Sequence, residues 1–206
     1  MKRIFLISLI IMTSTAFSQD KKATALLNEV AAKIQSYENI KIDFEYKMIN
    51  KLQGINESMD GVLFSKGIKY KLNVAEQQVI SNGKTMWTFL ESVNEVQIND
   101  ANDNEEGFNP RTFMQSWQNK FKARLISEKD NLALIELLPK EASAYNKVHV
   151  KIDKSKMQLQ SLSMFDANGS EFVYLIRKFI TSQSIADSEF TFDPKQYPGI
   201  EIIDLR

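Results

Sequence analysis

The residues that could carry acid–base or nucleophilic chemistry are few, and the single histidine is the most informative of them. His149 is the only histidine in a chain of 206 residues, and it alternates with Lys147 and Lys151 along a predicted strand. A Ser-His-Asp triad would need this residue, and no G-x-S-x-G nucleophile elbow accompanies it. We interpret His149 as a surface histidine without an obvious partner. We therefore expect no catalytic residues and no enzyme activity, and an envelope hydrolase is the least favoured alternative.

Metal and cofactor sites find no better support. The chain has no cysteine, which excludes thiolate ligands and disulfides. The richest acidic cluster is Asp100, Asp103, Glu105 and Glu106, within the polar stretch 99–107. It lacks the spacing and the glycine of an EF-hand, so we interpret the stretch as a solvated loop. The sequence predicts no metal and no cofactor.

The charge distribution argues against nucleic acid as a partner. The 26 basic residues balance the 26 acidic ones, and loss of Lys2 and Arg3 with a leader would leave a charge of about −2. A local basic patch remains, formed by Lys66, Lys69 and Lys71. We favour an ordinary solvated strand face there, with a contact to lipid phosphates or to a partner protein as the alternative.

The first 18 residues have the pattern of a secretory signal peptide. A basic start is followed by the apolar run 4–12, and Ala16-Phe17-Ser18 supplies small residues before a cut at Gln19. An uncleaved N-terminal anchor is the alternative. No cysteine follows the cut to carry a lipid, so we expect a soluble exported protein in which residues 19–206 form a single domain.

The periodicity of apolar residues then predicts an α+β fold. Asp20 is expected to cap an amphipathic helix, and the alternation over 40–48 begins a series of about 10–11 strands. Asn109-Pro110 starts a second, short helix with a heavy apolar side. The last expected strands are 189–194 and 199–203. Consecutive hairpins favour an antiparallel meander, and so many strands must curl. The two helices would cover the curled inner face.

The stretch 79–87 reads Val-Ile-Ser-Asn-Gly-Lys-Thr-Met-Trp. Its Asn82-Gly83 corner predicts a type I′ hairpin turn, which needs positive φ at both residues. The chain as a whole is rich in large apolar residues, with 13 Phe, 8 Met and 2 Trp. This content fits either a packed core or a cavity between sheet and helices that admits an acyl chain.

At this point the sequence resembles a known family, the LolA outer-membrane lipoprotein carriers. Asp-Phe-Glu-Tyr at 43–46 is similar to the family's opening F-x-A-x-F-x-Q. Residues 61–66 are similar to its second strand, and 79–87 to its L-V-S-D-G-K-T-L-W hairpin. Phe-Thr-Phe-Asp-Pro at 190–194, followed by Gly199, is similar to its closing F-x-F-x-P-x-G-V. The ordered series is more specific than any single match.

The resemblance implies a curled, incomplete antiparallel β-barrel with a helical lid, and a periplasmic monomer that carries lipoproteins. It implies acyl chains in the cavity, loading by an inner-membrane lipoprotein-releasing ABC transporter, and delivery to the outer membrane, with or without a receptor there. A lipid-binding or envelope-stress sensor without transfer activity is the alternative function. The family commonly has a lid-holding arginine after its second strand, and here Lys66-Gly67-Ile68 stands in that place. An ammonium does not replace a guanidinium fork, so Lys66 is only a candidate lid or partner contact.

The pattern also gives a set of candidate lipid-binding residues, which share an inward-facing position on a strand or an apolar side of a helix. They are Ile34, Phe44, Met48, Tyr70, Leu72, Met86, Phe113, Met114 and Trp117. A register error of one residue would turn a strand residue to the other face. Trp117→Asp is expected to abolish acyl binding while leaving the fold mostly intact.

Overall fold

One 12-stranded sheet and two α-helices make up the fold of residues 10–101 and 109–206, which the computed structural model describes. The helices are α1 (Ile10–Ser36) and α2 (Pro110–Lys120). The strands are β1 (Asn39–Asn50), β2 (Ile55–Lys66), β3 (Lys69–Val74), β4 (Gln77–Ser81), β5 (Thr85–Leu90), β6 (Glu95–Asp100), β7 (Phe121–Lys129), β8 (Leu132–Pro139), β9 (Tyr145–Asp153), β10 (Gln158–Asp166), β11 (Ser170–Thr181) and β12 (Glu201–Asp204). The expected α+β class is confirmed, with one strand more than the upper estimate.

Two meanders build this sheet and meet in its middle. Strands β1 to β6 follow each other as antiparallel neighbours, and β7 to β11 do the same. The first and last strands of these runs, β1 and β11, pair along almost their full length. The short β12 adds to β6 in parallel. Since β12 and β7 form opposite edges, the sheet is curled but not closed into a barrel.

Helix α1 is longer than its sequence pattern predicts. It begins at Ile10, so Asp20 lies inside it and does not cap it. Residues 10–19 contain neither glycine nor proline, and nothing in them stops a helix from extending. The predicted apolar side is confirmed, because Leu27, Val30 and Ile34 are fully buried. Among the described residues no helix is both long and apolar enough to span a bilayer.

Helix α2 starts as its sequence predicts. The Asn109 side chain accepts a hydrogen bond from the Arg111 amide, and Pro110 occupies the first turn. Met114 and Trp117 are buried. The helix connects β6, next to one edge of the sheet, with β7 at the other edge. This crossing brings α2 against α1 on one face of the sheet, which we call the inner face.

The predicted acidic loop at 99–107 falls mostly outside the described residues. Its first two residues belong to β6, which continues to Asp100. The Asn82-Gly83 corner also differs from its prediction. Gly83 has φ 87°, but Asn82 is not among the described non-glycine residues with positive φ. The Asn82 side chain instead accepts from the Lys84 and Thr85 amides at 2.9 and 2.8 Å, so an Asx-type turn replaces the type I′ turn.

The prediction of a strand at 189–194 is wrong. Two 3₁₀ helices, Asp187–Phe190 and Pro194–Gln196, occupy this region. Phe190 and Phe192 are both buried, as the alternation suggested, but the segment crosses the outer face of the sheet. Phe192 packs there with Ile80 and Val96. An alternating pattern cannot tell a strand from an extended segment that lies across a sheet.

Candidate functional site

The inner face of the sheet has one half that is filled by helix side chains. Leu27, Val30 and Ile34 of α1 and Met114 and Trp117 of α2 form a single buried cluster with strands β8 to β10. The strand side of this cluster consists mainly of branched aliphatic residues, namely Ile135, Leu137, Val148, Val150, Ile152 and Leu162. Such interdigitated side chains leave little free volume, so this half is a packed core.

The other half of the inner face contains a cavity of about 590 Å³. This volume lies within the range of ligand sites, roughly 300 to 1,000 Å³. All described lining residues come from the sheet and its turns, and none comes from α1 or α2. The apolar ones are Met59, Leu72, Val74, Ala75, Val79, Met86, Leu90, Met164 and Phe172. The cavity therefore lies beside the helices. The sequence pattern predicted it between the helices and the sheet, and the structure corrects this prediction.

The rest of the lining is polar but uncharged. Three tyrosines, Tyr46, Tyr145 and Tyr174, lie on the β1–β11 side, and the amides and hydroxyl of Gln77, Thr88, Gln97 and Asn99 lie on the β4–β6 side. Burial raises the pKa of Tyr46 and of Tyr174 above the ordinary value of about 10, so both phenols stay neutral even in mildly alkaline solution. No acid, lysine, arginine or histidine is among the described lining residues.

Two of the nine predicted lipid-binding residues line this cavity, Leu72 and Met86. Three others lie close to it. The Tyr70 hydroxyl donates to the Met86 sulfur at 3.4 Å, and the Phe44 ring lies 5.6 Å from the ring of Tyr174. Met48 is half-buried on β1, two residues beyond Tyr46, and is not part of the lining.

The remaining four predicted residues belong to the filled half. Ile34, Met114 and Trp117 are buried in its cluster, and Phe113 packs against it. They share an apolar environment with the strands, but they do not contact the cavity lumen in this structure. The sequence pattern could not separate the residues that fill the core from those that line the cavity, and lipid binding by the nine residues stays a prediction.

Sequence reasoning missed several lining residues, of which Tyr46 and Tyr174 matter most. Tyr46 was within reach, because it follows Phe44 in the same alternation on β1. Tyr174 was not, because the β1–β11 register shifts between Asp43 and Phe44. Such a bulge changes which β11 residues share a face with β1, and no residue type marks it.

The basic patch has a clear role in the structure. Lys66 and Lys69 both pair with Asp187 at 3.0 Å, and Lys71 pairs with Glu189 at 2.9 Å. These carboxylates belong to the segment that crosses the outer face. Lys66 thus contacts this segment, and its expected role as a lid contact receives no support from its pairing. All three lysines are thus paired within the chain, although the two carboxylates offset only two of the three positive charges.

His149 lies on the outer face, as predicted, but it has a partner. Its Nε2 is 3.3 Å from Oε2 of Glu136 on the neighbouring strand, and Arg124 binds the other oxygen of that carboxylate at 2.7 Å. Hydrogen bonds from His149 and Arg124 lower the pKa of Glu136 against the opposing effect of its desolvation. Cross-strand register, which the sequence did not supply, creates this pair.

Comparison with known proteins shows to which family this chain belongs. An outer-membrane lipoprotein carrier protein from Histophilus somni (strain 2336) is 28% identical over 135 residues, 64% of this chain and 62% of that protein. The chain thus spans less than two thirds of that relative's length.

Two solved structures share the fold. An uncharacterized conserved protein from Thermus thermophilus aligns with a TM-score of 0.60 at 10% identity, covering 89% of this chain and 99% of the other. A domain from Vibrio parahaemolyticus, described in terms of outer membrane lipoprotein sorting, aligns with a TM-score of 0.50 at 13% identity over 84% and 97%. The sequence model described as "Outer membrane lipoprotein carrier protein LolA" matches residues 61–193, more than half of the chain. The chain therefore belongs to the LolA family of outer-membrane lipoprotein carrier proteins.

Proposed function

We propose that this protein binds the acyl chains of lipoproteins in the inner-face cavity and carries them through the periplasm to the outer membrane. The observation that supports this most directly is the 590 Å³ cavity, lined by nine apolar and seven uncharged polar residues, in a protein of the LolA family. Binding and release of a lipid require no covalent bond to be made or broken. The protein would then act as a chaperone and not as an enzyme.

The location and partners belong to the same proposal. Residues 1–18 would act as a cleaved signal peptide, which directs the chain to the periplasm. An inner-membrane lipoprotein-releasing ABC transporter would load the cavity, and the outer membrane, with or without a receptor, would accept the cargo. The carrier would work as a monomer that does not bind nucleic acid.

The filled half of the inner face supports a role for α2 as a lid. Burying one methylene contributes about 0.8 kcal/mol, so a 16-carbon chain could gain about 13 kcal/mol in total. A carrier that retained all of this free energy would not release its cargo. If a long chain displaces Met114 and Trp117 from the filled half, that displacement costs part of the gain and keeps net binding modest.

A filled cavity tests the site directly. Thr88 lines the cavity and is half-buried, so Thr88→Trp should occupy much of the lumen and abolish lipopeptide binding. Gln196→Trp places the same side chain at an exposed position and serves as control. Trp117→Asp, which the sequence suggested as a test of acyl binding, is a less suitable substitution. Trp117 is buried in the main core, and a carboxylate there would disrupt the fold.

The complete function requires a transfer assay. The purified protein is incubated with inner-membrane vesicles that contain lipoproteins and the transporter, and lipoproteins in the supernatant are identified by mass spectrometry. Release that depends on ATP and is lost in Thr88→Trp supports the carrier. Bound lipid without release would instead favour the alternative, a lipid or envelope-stress sensor.

A further inference from the structure

We propose that the cavity selects uncharged acyl compounds that can form hydrogen bonds, such as acyl esters and acyl amides, and rejects acyl anions such as free fatty acids. This inference rests on the proposed function, because it assumes that the inner-face cavity is the acyl site. It adds the chemical class of the group that enters with the acyl chain.

The first observation is a contiguous polar wall beside an apolar floor. Thr88 pairs directly with Gln97 across β5 and β6, and Asn99 follows two residues later on the same face. Asn99 in turn pairs with Met86, which is apolar and lines the same cavity. A ligand that satisfies both surfaces carries an apolar chain and a neutral group with hydrogen-bonding atoms.

The second observation is the electrostatic environment of this wall. The described lining residues include no cation that could pair with an anion. A carboxylate lies beside the wall on Glu95, whose Oε1 accepts a hydrogen bond from the Gln97 side chain at 2.8 Å. Glu57 lies near the opposite side, where its charge contributes to the raised pKa of Tyr46. An entering carboxylate would lose water without gaining a cation and would face two negative charges.

The orientation of the Gln97 amide sharpens the preference. Its nitrogen donates one of its two N–H groups to Glu95, which fixes the amide orientation, and its carbonyl oxygen can accept a hydrogen bond from a ligand. Hydroxyl and amide N–H groups donate to such an oxygen, and a carboxylate cannot. Glycerides and N-acyl peptides carry these donors next to their acyl chains, as the acylated end of a lipoprotein does.

A matched pair of probes tests the inference. 1-Decanoylglycerol and decanoate carry the same chain and differ in the charge of their polar end. Isothermal titration calorimetry at pH 8 on the full chain should show the glyceride binding at least about tenfold tighter than the anion. Equal affinities would overturn the inference and leave the proposed acyl site intact. Binding of neither probe would overturn both.

Two variants and a control connect any preference to the wall. Asn99→Lys adds a cation inside the cavity and removes an amide from the wall, so it should raise the affinity for decanoate at least about fivefold and narrow the preference for the glyceride. Gln196→Lys makes the same change in net charge at an exposed position and should have no effect. Equal gains in both variants would show a long-range charge effect and refute the inference. Glu95→Gln removes the negative charge beside the wall and keeps a side-chain oxygen that can accept from Gln97, so it should also improve decanoate binding.

Discussion

Arg111, at the start of α2, donates a hydrogen bond from its guanidinium to the main-chain oxygen of Tyr37, just after the end of α1. A second guanidinium nitrogen donates to the main-chain oxygen of Gln35 at 3.4 Å. The side-chain amide of Gln35 donates in return to the main-chain oxygen of Arg111 at 3.1 Å. Burial lowers the pKa of Arg111, but an arginine remains charged. The positive charge thus lies at the negative end of the α1 dipole and ties the two helices together.

Replacing Arg111 with methionine should loosen α2. The variant keeps the apolar part of the side chain and loses charged hydrogen bonds, so the free energy of unfolding should fall by about 1.5–3 kcal/mol. Urea unfolding followed by circular dichroism measures this loss. Stopped-flow binding of a fluorescent acyl probe should be faster in the variant if α2 is the lid.

Arg177→Met is the matched control for this prediction. The Arg177 side chain is 56% exposed and pairs with Glu45 on the outer face, so its loss should change stability much less. If both variants lose the same free energy of unfolding, the contact between Arg111 and α1 contributes no more to stability than an exposed ion pair does. Arg111 supplies its guanidinium contact between the helices from a position other than the one next to Lys66, where the family resemblance leads us to expect an arginine.

Much of this fold follows from local patterns in the sequence. The alternation that starts at Ile40 predicts β1, and the spacing of Leu27, Val30 and Ile34 predicts the buried side of α1. The course of residues 182–200 did not follow, because burial of Phe192 on the outer face looks the same in sequence as burial in a strand. The cavity did not follow either. Its position depends on how far α1 and α2 extend over the sheet, which is a property of tertiary packing.

Gly61 should not tolerate a methyl group. It pairs with Phe44 across β1 and β2, and a Cβ on Gly61 would lie 2.2 Å from the end of the Phe44 ring. The ring is buried, so it cannot simply swing into solvent. Gly61→Ala should therefore destabilise the protein by about 1–3 kcal/mol in urea unfolding.

A second-site change separates this clash from a backbone effect. Gly61 has no positive φ, so alanine fits its backbone, and only the ring opposes the substitution. Adding Phe44→Leu to Gly61→Ala should then cost less than the sum of the two single changes. Strict additivity of the two free energies would show that the Phe44 ring is not the cause.

Three half-buried tyrosines should make the protein sensitive to alkaline pH. Burial raises the pKa of Tyr46, Tyr70 and Tyr174 in the folded state. Since these values exceed those of the unfolded chain, their contribution to stability is complete below about pH 10 and is lost as the pH rises through the folded values. Urea unfolding at increasing pH should show a steady decrease above that point. In Tyr174→Phe the decrease should be shallower, and an identical slope would exclude Tyr174 as a source.

The segment across the outer face should be held by its aromatic residues more than by its ion pairs. Phe192 is buried against Ile80 and Val96 and stacks on Tyr197 with ring centroids 4.9 Å apart. Asp187, which pairs with two lysines, has an exposed side chain whose charge is screened by solvent.

Phe192→Ala should cost about 3–5 kcal/mol of unfolding free energy, whereas Asp187→Asn should leave it nearly unchanged. Hydrogen exchange should show faster exchange in β12 and β6 only for Phe192→Ala, because the segment that contains Phe192 leads directly into β12. The opposite order, with Asp187→Asn exposing these strands, would mean that the lysine pairs hold the segment in place.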